Sequence, residues 1–389
     1  MTTPLDSKPE QTSKSERISK PNRPGVAPTK AANRFGRTAV DFGRPIRVMR
    51  LHDLRGGRLS LRLDTRATIV CLLLLTVTAT IGILTLGSGE YTVPPGDVIR
   101  ALLGDATTKV HMVVIEWRLP RVLLAVLCGA ALGVSGAIFQ SLTRNPLGSP
   151  DIIGFNTGAN TGALAVIMLA HGGYYQVAAG AMAGGIATAA VVYLLAYRQG
   201  IQGFRLIIVG IGISALLASF NTWMTLKADL ETAMAAAVWG AGSLNGLSWE
   251  QLGPVAVVLA LLLPVVLFLA SRMRMLEMGD DTARSLGVRV EPNRLALVVT
   301  GVALTALVTA AAGPISFIAL AAPQLARRLV RSPGVSVLPS AVMGAALLVT
   351  SDWVAQRAFA PLQLPVGVVT VSIGGVYLIW LLLGEARRQ

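Results

Sequence analysis

The stretch LTRNPLGSPDIIGFNTGAN, from Leu142 to Asn160, sets a polar turn between two apolar runs. Proline disfavours helical backbone at the residue before it, so Pro146 makes Asn145 a break point. Pro150 and Gly154 then set the direction of the following helix, while Asn145 is suited to satisfying backbone groups freed at the break. Beyond the turn, Asn156, Thr157, Asn160 and Thr161 form two polar pairs four residues apart, which places them on one side of a helix. What such a break means depends on the solvent around it.

Composition supplies that solvent. Of 389 residues, 53% are hydrophobic and 14% charged, against about 25% charged in a soluble domain. Apolar runs of roughly 20 residues are long enough to span a bilayer. They fall at about 67–87, 121–141, 152–170, 174–197, 204–225, 253–271, 294–312, 314–330, 336–355 and 366–384. The pattern predicts an all-α polytopic membrane protein of about ten transmembrane helices, with both termini on one side. Gly129, Gly133 and Gly136, and again Gly180 and Gly184, predict close helix–helix approach. The chain divides into a basic leader without regular structure at 1–66, a membrane domain at 67–384 and a short tail at 385–389. Met49 opens a second, shorter basic N-terminus, MRLHDLRGGRLSLRLDTR.

The net charge of +14 is concentrated in the leader, where residues 1–66 hold 15 Lys or Arg against 6 acids. Such a segment ahead of a first span stays in the cytoplasm. It lacks interleaved aromatics and any recognition motif, so membrane lipid is its expected neighbour and nucleic acid is not. With the N-terminus inside, the inner loops collect Arg144, Arg198, Arg205, Arg272, Arg274, Arg284, Arg289, Arg294, Arg327, Arg328, Arg331, Arg387 and Arg388. The outer loops carry Glu90, Asp97, Asp105, Glu116, Asp229, Glu231 and Glu250. Outer exceptions are Arg100, Lys109, Arg118, Arg121, Lys227 and Arg357.

Several functions are disfavoured. Between Val122 and Met273 the acids are Asp151, Asp229, Glu231 and Glu250, all in expected loops, and Asp352 alone sits near a span end. Ion-coupled carriers usually bury a carboxylate or His at depth, although backbone carbonyls also bind sodium. A cation-coupled secondary transporter is therefore the alternative from another class. No Lys follows a Gly, so there is no P-loop. The chain is not expected to be an enzyme, and any ATP must be handled by a separate subunit. Cys71 and Cys128 lie in apolar runs without metal-ligand spacing, so no cofactor or metal is expected. The longest inner loop, Arg272–Arg294, contains DDTARSLGV, with acids at the front and Gly287 as a stop. It reads either as a short helix offering Ala283 and Leu286 to a groove on a soluble partner, or as a solvated loop.

Four motifs, in order, carry a resemblance to a known family. EWRLPRVLLAVLCGAALGVSGAIFQSLTRNPLGSPDIIGFNTGA, beginning at Glu116, is similar to the signature region of the iron-chelate and cobalamin permeases, the membrane subunits of type II ABC importers. ARSLGV at Ala283 resembles their coupling loop. GPISFIALAAPQLARRLV at Gly313 and LPVGVVTVSIGGVYLIWLLL at Leu364 resemble their C-terminal signatures. The likeness covers roughly 68–384. Where many relatives have Gly-Leu and Pro-His, this chain has Ala319-Leu320 and Pro323-Gln324. With RAFAPLQLPVGVVT, that departure is similar to the second permease subunit of ferric-enterobactin importers.

The resemblance implies the type II ABC importer permease fold in a bacterial plasma (inner) membrane, with the 142–160 turn on the cytoplasmic side. It implies a paralogous permease as partner, or a second copy, with two ATPase subunits below and a soluble or lipid-anchored substrate-binding protein above. ATP would act only through the partner ATPase. Ala283, Ser285, Leu286 and Gly287 would form the coupling loop. Arg118, Arg121 and Arg357 would pair with Glu on the binding protein's two lobes, their other reading being headgroup anchoring. Asn145 and Pro146 would form the turn at the inner gate. Asn156, Thr157, Asn160 and Thr161 are either a polar edge of the pathway or interhelical hydrogen-bonding groups. The implied cargo is a ferric siderophore of catecholate type, with cobalamin or haem as the alternative.

Overall fold

The computed structural model describes residues 46–52, 58–170, 172–197, 203–360 and 362–386. Most of the leader, together with His171, Arg198, Arg387 and Arg388, lies outside the described residues.

Strands β1 (Ile46–His52) and β2 (Arg58–Asp64) pair antiparallel, Met49 opposite Leu61. This corrects the expectation of a leader without regular structure over that part. The reason is legible in RLSLRLD, where apolar and polar residues alternate with the period of a strand. Asp64 then caps α1 (Thr65–Gly87), its side chain accepting from the Arg66 and Ala67 amides.

Short helices α2 (Pro95–Leu102) and α3 (Thr108–His111) follow, then a π-helical stretch (Met112–Arg118) that runs into α4 (Leu119–Thr143). Next come α5 (Phe155–Ala170), α6 (Tyr174–Ala196), α7 (Gly203–Lys227), α8 (Leu230–Gly240) and α9 (Trp249–Glu277). The chain closes with α10 (Asp280–Ser285), α11 (Val290–Ala312), α12 (Ile318–Val330), α13 (Val337–Arg357) and α14 (Val366–Ala386). Ten of these helices occupy the ten expected spans. Among the described residues, seven are long and apolar enough to cross a membrane by themselves. Helices α5 and α12 are shorter, at 16 and 13 residues. Helix α8 falls where a loop was expected; Asp229 starts it by accepting from the Thr232 amide at 3.0 Å.

Helix α4 is the hub. It packs against α9, α11, α12 and α13, with Leu124, Leu132 and Ile138 in the core. Between helices in lipid the attraction comes from close packing, which favours small residues at the contact. A Cβ at position 133 would stand 2.1 Å from the Ser340 carbonyl oxygen on α13. One at 136 would stand 1.7 Å from that of Ala319 on α12. That carbonyl lacks its helical donor for a reason: Pro323, four residues on, has no N–H to give it.

Three helix breaks interlock. α11 stops at Gly313 (φ 72°), and Pro314–Phe317 continues as an unwound segment before α12. The loop after α8 reaches this point, where the Ser243 amide donates to Ala312 O at 2.7 Å. The Gly367 amide at the start of α14 donates to Gly242 O at 3.1 Å.

Filling the α4 contacts tests this packing. Gly136→Ala is expected to cost about 1–3 kcal/mol by overpacking and to lower the melting temperature in detergent. Gly212→Ala on α7, where a Cβ meets nothing within 4 Å, is the control. Equal melting temperatures for both variants would contradict the contact.

Candidate functional site

The turn between α4 and α5 joins the breaks together. Arg144 takes a left-handed conformation (φ 50°) as the C-cap of α4, its amide donating to Ser141 O and that of Asn145 to Gln140 O. Asn145 Oδ1 accepts from the Leu147 amide at 2.9 Å, an Asx turn. Pro146 O accepts from Gln324 Nε2 of α12 at 2.6 Å. Asp151 Oδ1 accepts from Asn156 Nδ2 at 2.6 Å and Oδ2 from the Phe317 amide at 3.2 Å. Desolvation pushes the Asp151 carboxyl up to about 6, and the Phe317 amide opposes the shift.

Beside this turn lies a cavity of about 780 Å³. Asn156, Thr157 and Asn160 line it, as the sequence suggested, together with Asn221 and Thr225 of α7, Gly240 of α8, Ser316 of the unwound segment and Ser372 of α14. Among the described residues, no charged side chain lines it. Asn145 and Pro146 stand outside the lining, and Thr161 bonds back to Thr157 O within α5. Asn221 is 7% exposed and donates through Nδ2 to Thr157 O at 3.2 Å. It escaped the sequence reading, although an Asn inside an apolar span is itself a signal. The α8 contribution had no such signal, because only the folding of α8 back onto α5 brings Gly240 to the cavity.

At the end of the molecule bearing α10, Asp280 Oδ1 accepts from Arg144 Nη2 at 2.8 Å and from Arg294 Nη2 at 2.6 Å. Arg144 Nη2 also donates to Leu276 O at 2.8 Å. A short helix, α10, stands where the sequence placed one, and the burial of its residues corrects one expectation. Ala283 is fully buried in the core and presents nothing to a partner, whereas Leu286 is 56% exposed. Ser285 is also exposed and donates to Thr282 O, and Gly287 ends the helix at φ 81°. A depression of about 480 Å³ beside it is lined by Arg284, Gly287 and Arg289.

At the opposite end, the three arginines expected to face a partner are engaged within the chain. Arg121 forms a forked pair with Asp352, Nη2 to Oδ1 at 2.8 Å, the two side chains 13% and 2% exposed. Arg118 donates to Leu86 O and Tyr91 O, both at 2.8 Å. Arg357 donates to Ser88 Oγ at 2.6 Å and is the exposed member of the three. The depression beside Arg118 also holds Glu90, Glu116 and Trp117, which the sequence reading had not singled out as site residues.

Helices that break inside a bundle, arranged about an uncharged polar cavity, define a polytopic helical transport protein. The chain belongs to the FecCD transport family, whose model matches residues 73–384. It is 55% identical over 324 residues to the ferric enterobactin transport system permease protein FepG of Escherichia coli strain K12, covering 83% of this chain and 98% of that one. It is 37% identical over 328 residues to the probable siderophore transport system permease protein YfhA of Bacillus subtilis strain 168, covering 82% and 95%. A solved inward-facing structure assigned to the metal-chelate type of ABC transporter superposes with a TM-score of 0.72 at 27% identity, covering 82% of this chain and 99% of that one.

The Arg121–Asp352 pair gives a stability test. Asp352→Ala leaves a buried guanidinium without its counter-charge and is expected to cost about 3–5 kcal/mol. Arg121→Met with Asp352→Leu is expected to recover most of that loss, as measured by thermal unfolding in detergent. A single variant that melts with the parent would show the pair to be solvated.

Proposed function

We propose that this chain is the permease subunit of an ATP-driven ABC importer for a ferric siderophore of catecholate type. One observation carries the reading: the 55% identity to a ferric enterobactin permease runs through nearly the whole length of that protein. The cavity agrees with it. Walls that mix Asn, Thr, Ser and Gly with Leu226, Val368 and Val371, and that show no charged side chain among the described residues, hold a bulky chelate weakly, and conduction requires that a cargo be able to leave. Asn156, Thr157 and Asn160 are its polar edge, and the 144–154 turn its inner boundary.

The chain sits in a bacterial plasma membrane with both termini in the cytoplasm and residues 1–66 as a basic cytoplasmic leader; the arginine distribution supports this orientation. The cavity is walled on one side by α7 and α14, which leave Leu226 79% and Val371 48% exposed. A paralogous permease closes it. Two ATPase subunits engage Ser285, Leu286 and Gly287 and the depression beside them. A substrate-binding protein docks at the opposite end, with Arg357 as the available fork for a carboxylate, while Arg118 and Arg121 hold that rim in shape.

Uptake of radioactive iron in a deletion strain and its complemented counterpart tests the reading. The panel holds iron-loaded catecholate and hydroxamate siderophores, with labelled cobalamin alongside. Loss of catecholate uptake alone is expected; loss of cobalamin uptake alone would overturn the cargo. In the complemented strain, Leu286→Asp is expected to reduce uptake at least about tenfold by placing a charge in an apolar docking contact. Uptake equal to the parent would remove α10 from the ATPase interface.

A further inference from the structure

The 144–154 turn is clasped at both ends by a carboxylate, and the two clasps lead in different directions. At one end Arg144 is held by Asp280, the first residue of α10, at 2.8 Å. At the other end Asp151 holds the Phe317 amide in the unwound segment at 3.2 Å, and Asn156 Nδ2, bound to Asp151, also donates to Ser316 Oγ at 3.2 Å. Ser316 and Asn156 both line the cavity. Between the clasps, Pro146 O is tied to α12 through Gln324.

The unwound segment is suited to having two arrangements. Phe317 sits at φ 76°, a costly conformation for a residue with a side chain. Asn156 Oδ1 is buried and accepts no hydrogen bond from the described residues. A strained residue and an unused acceptor therefore adjoin one carboxylate that fixes both, on the wall of the cavity.

We propose that the turn transmits displacement of α10 to the cavity wall through these two clasps, with Asp151 as the positioning residue at the cavity end. This rests on the importer reading above. Displacement of α10 moves Arg144 through Asp280. The short turn, stiffened by Pro146, Pro150 and the Asn145 Asx turn, carries Asp151 with it. The Phe317 amide and Asn156 then shift together, and the wall changes shape.

The test uses the full importer, with its partner permease, ATPase and binding protein, in proteoliposomes with ferric enterobactin as probe. The readout is ATP consumed per chelate imported, a ratio that a loss of assembled complex alone would not move. Asp151→Ala is expected to raise the ratio at least about fivefold. Asp151→Asn is expected to stay within about twofold of the parent, because a flipped Asn156 amide offers its Oδ1 to the new donor. Arg144→Gly keeps the left-handed cap without strain, removes the other clasp, and is expected to raise the ratio by a similar factor even should Asp151→Ala fail to assemble. In the double variant the ratio is expected to equal the larger single effect, since one broken link is enough. Ratios within twofold of the parent for Arg144→Gly, or single effects that multiply in the double variant, would overturn the transmission while leaving the importer reading intact. A parent complex that imports nothing on ATP would overturn both.

Discussion

In a lipid interior, backbone N–H and C=O groups that leave a helix have no water to turn to. The whole arrangement of this protein follows from that constraint. The chain breaks its helices after α4, after α8 and after α11, and each break would strand polar groups if it stood alone. The breaks therefore meet. Ser243 donates to Ala312 O, Gly367 to Gly242 O and the Phe317 amide to Asp151, while Gln140 and Gln324 supply their side-chain amides to Leu320 O and Pro146 O. Non-helical backbone is tolerated at depth where it is buried in protein or lines a cavity, and here it does both.

The same constraint explains why α4 is built from glycines. A helix that packs closely on α9, α11, α12 and α13 while feeding a break cannot keep its neighbours at ordinary distance. Gly133 lets α13 approach, and Gly136 accepts the carbonyl that Pro323 leaves open on α12. Packing and polar satisfaction are thus one problem. The proline that disrupts α12 and the glycine that accommodates the disruption lie on different helices, and neither has an evident purpose without the other.

Function grows from what the breaks leave over. The cavity carries amides and hydroxyls that also tie its walls together, as Asn156 does to Asp151 and Ser316 and Asn221 does to Thr157 O. Among the described residues no charged side chain lines it, and the strong ionic contacts stand at the two ends of the molecule instead. Asp280 gathers Arg144 and Arg294 beside α10, and Asp352 holds Arg121 at the far end. Transport needs a path that grips weakly and ends that are firmly held, and the distribution of charge along the bundle meets both needs.

Much of this was written in the chain itself. Hydropathy placed ten spans, and each is occupied by a helix, because apolar length is a local property that survives any packing. The break at Asn145 and the polar face at Asn156, Thr157 and Asn160 were likewise legible, since proline and helical period act over a few residues. The β1–β2 pairing was legible too, in the alternation of Arg58–Asp64, but a search for span-length runs passes over it. Other features required the fold. Ala283 turns inward, Arg121 finds Asp352 across 231 positions of sequence, and α8 folds back to bring Gly240 beside Asn160. Each of these depends on which helices become neighbours. Periodicity sets which face a residue occupies, and only the packing of one helix on another decides what that face meets.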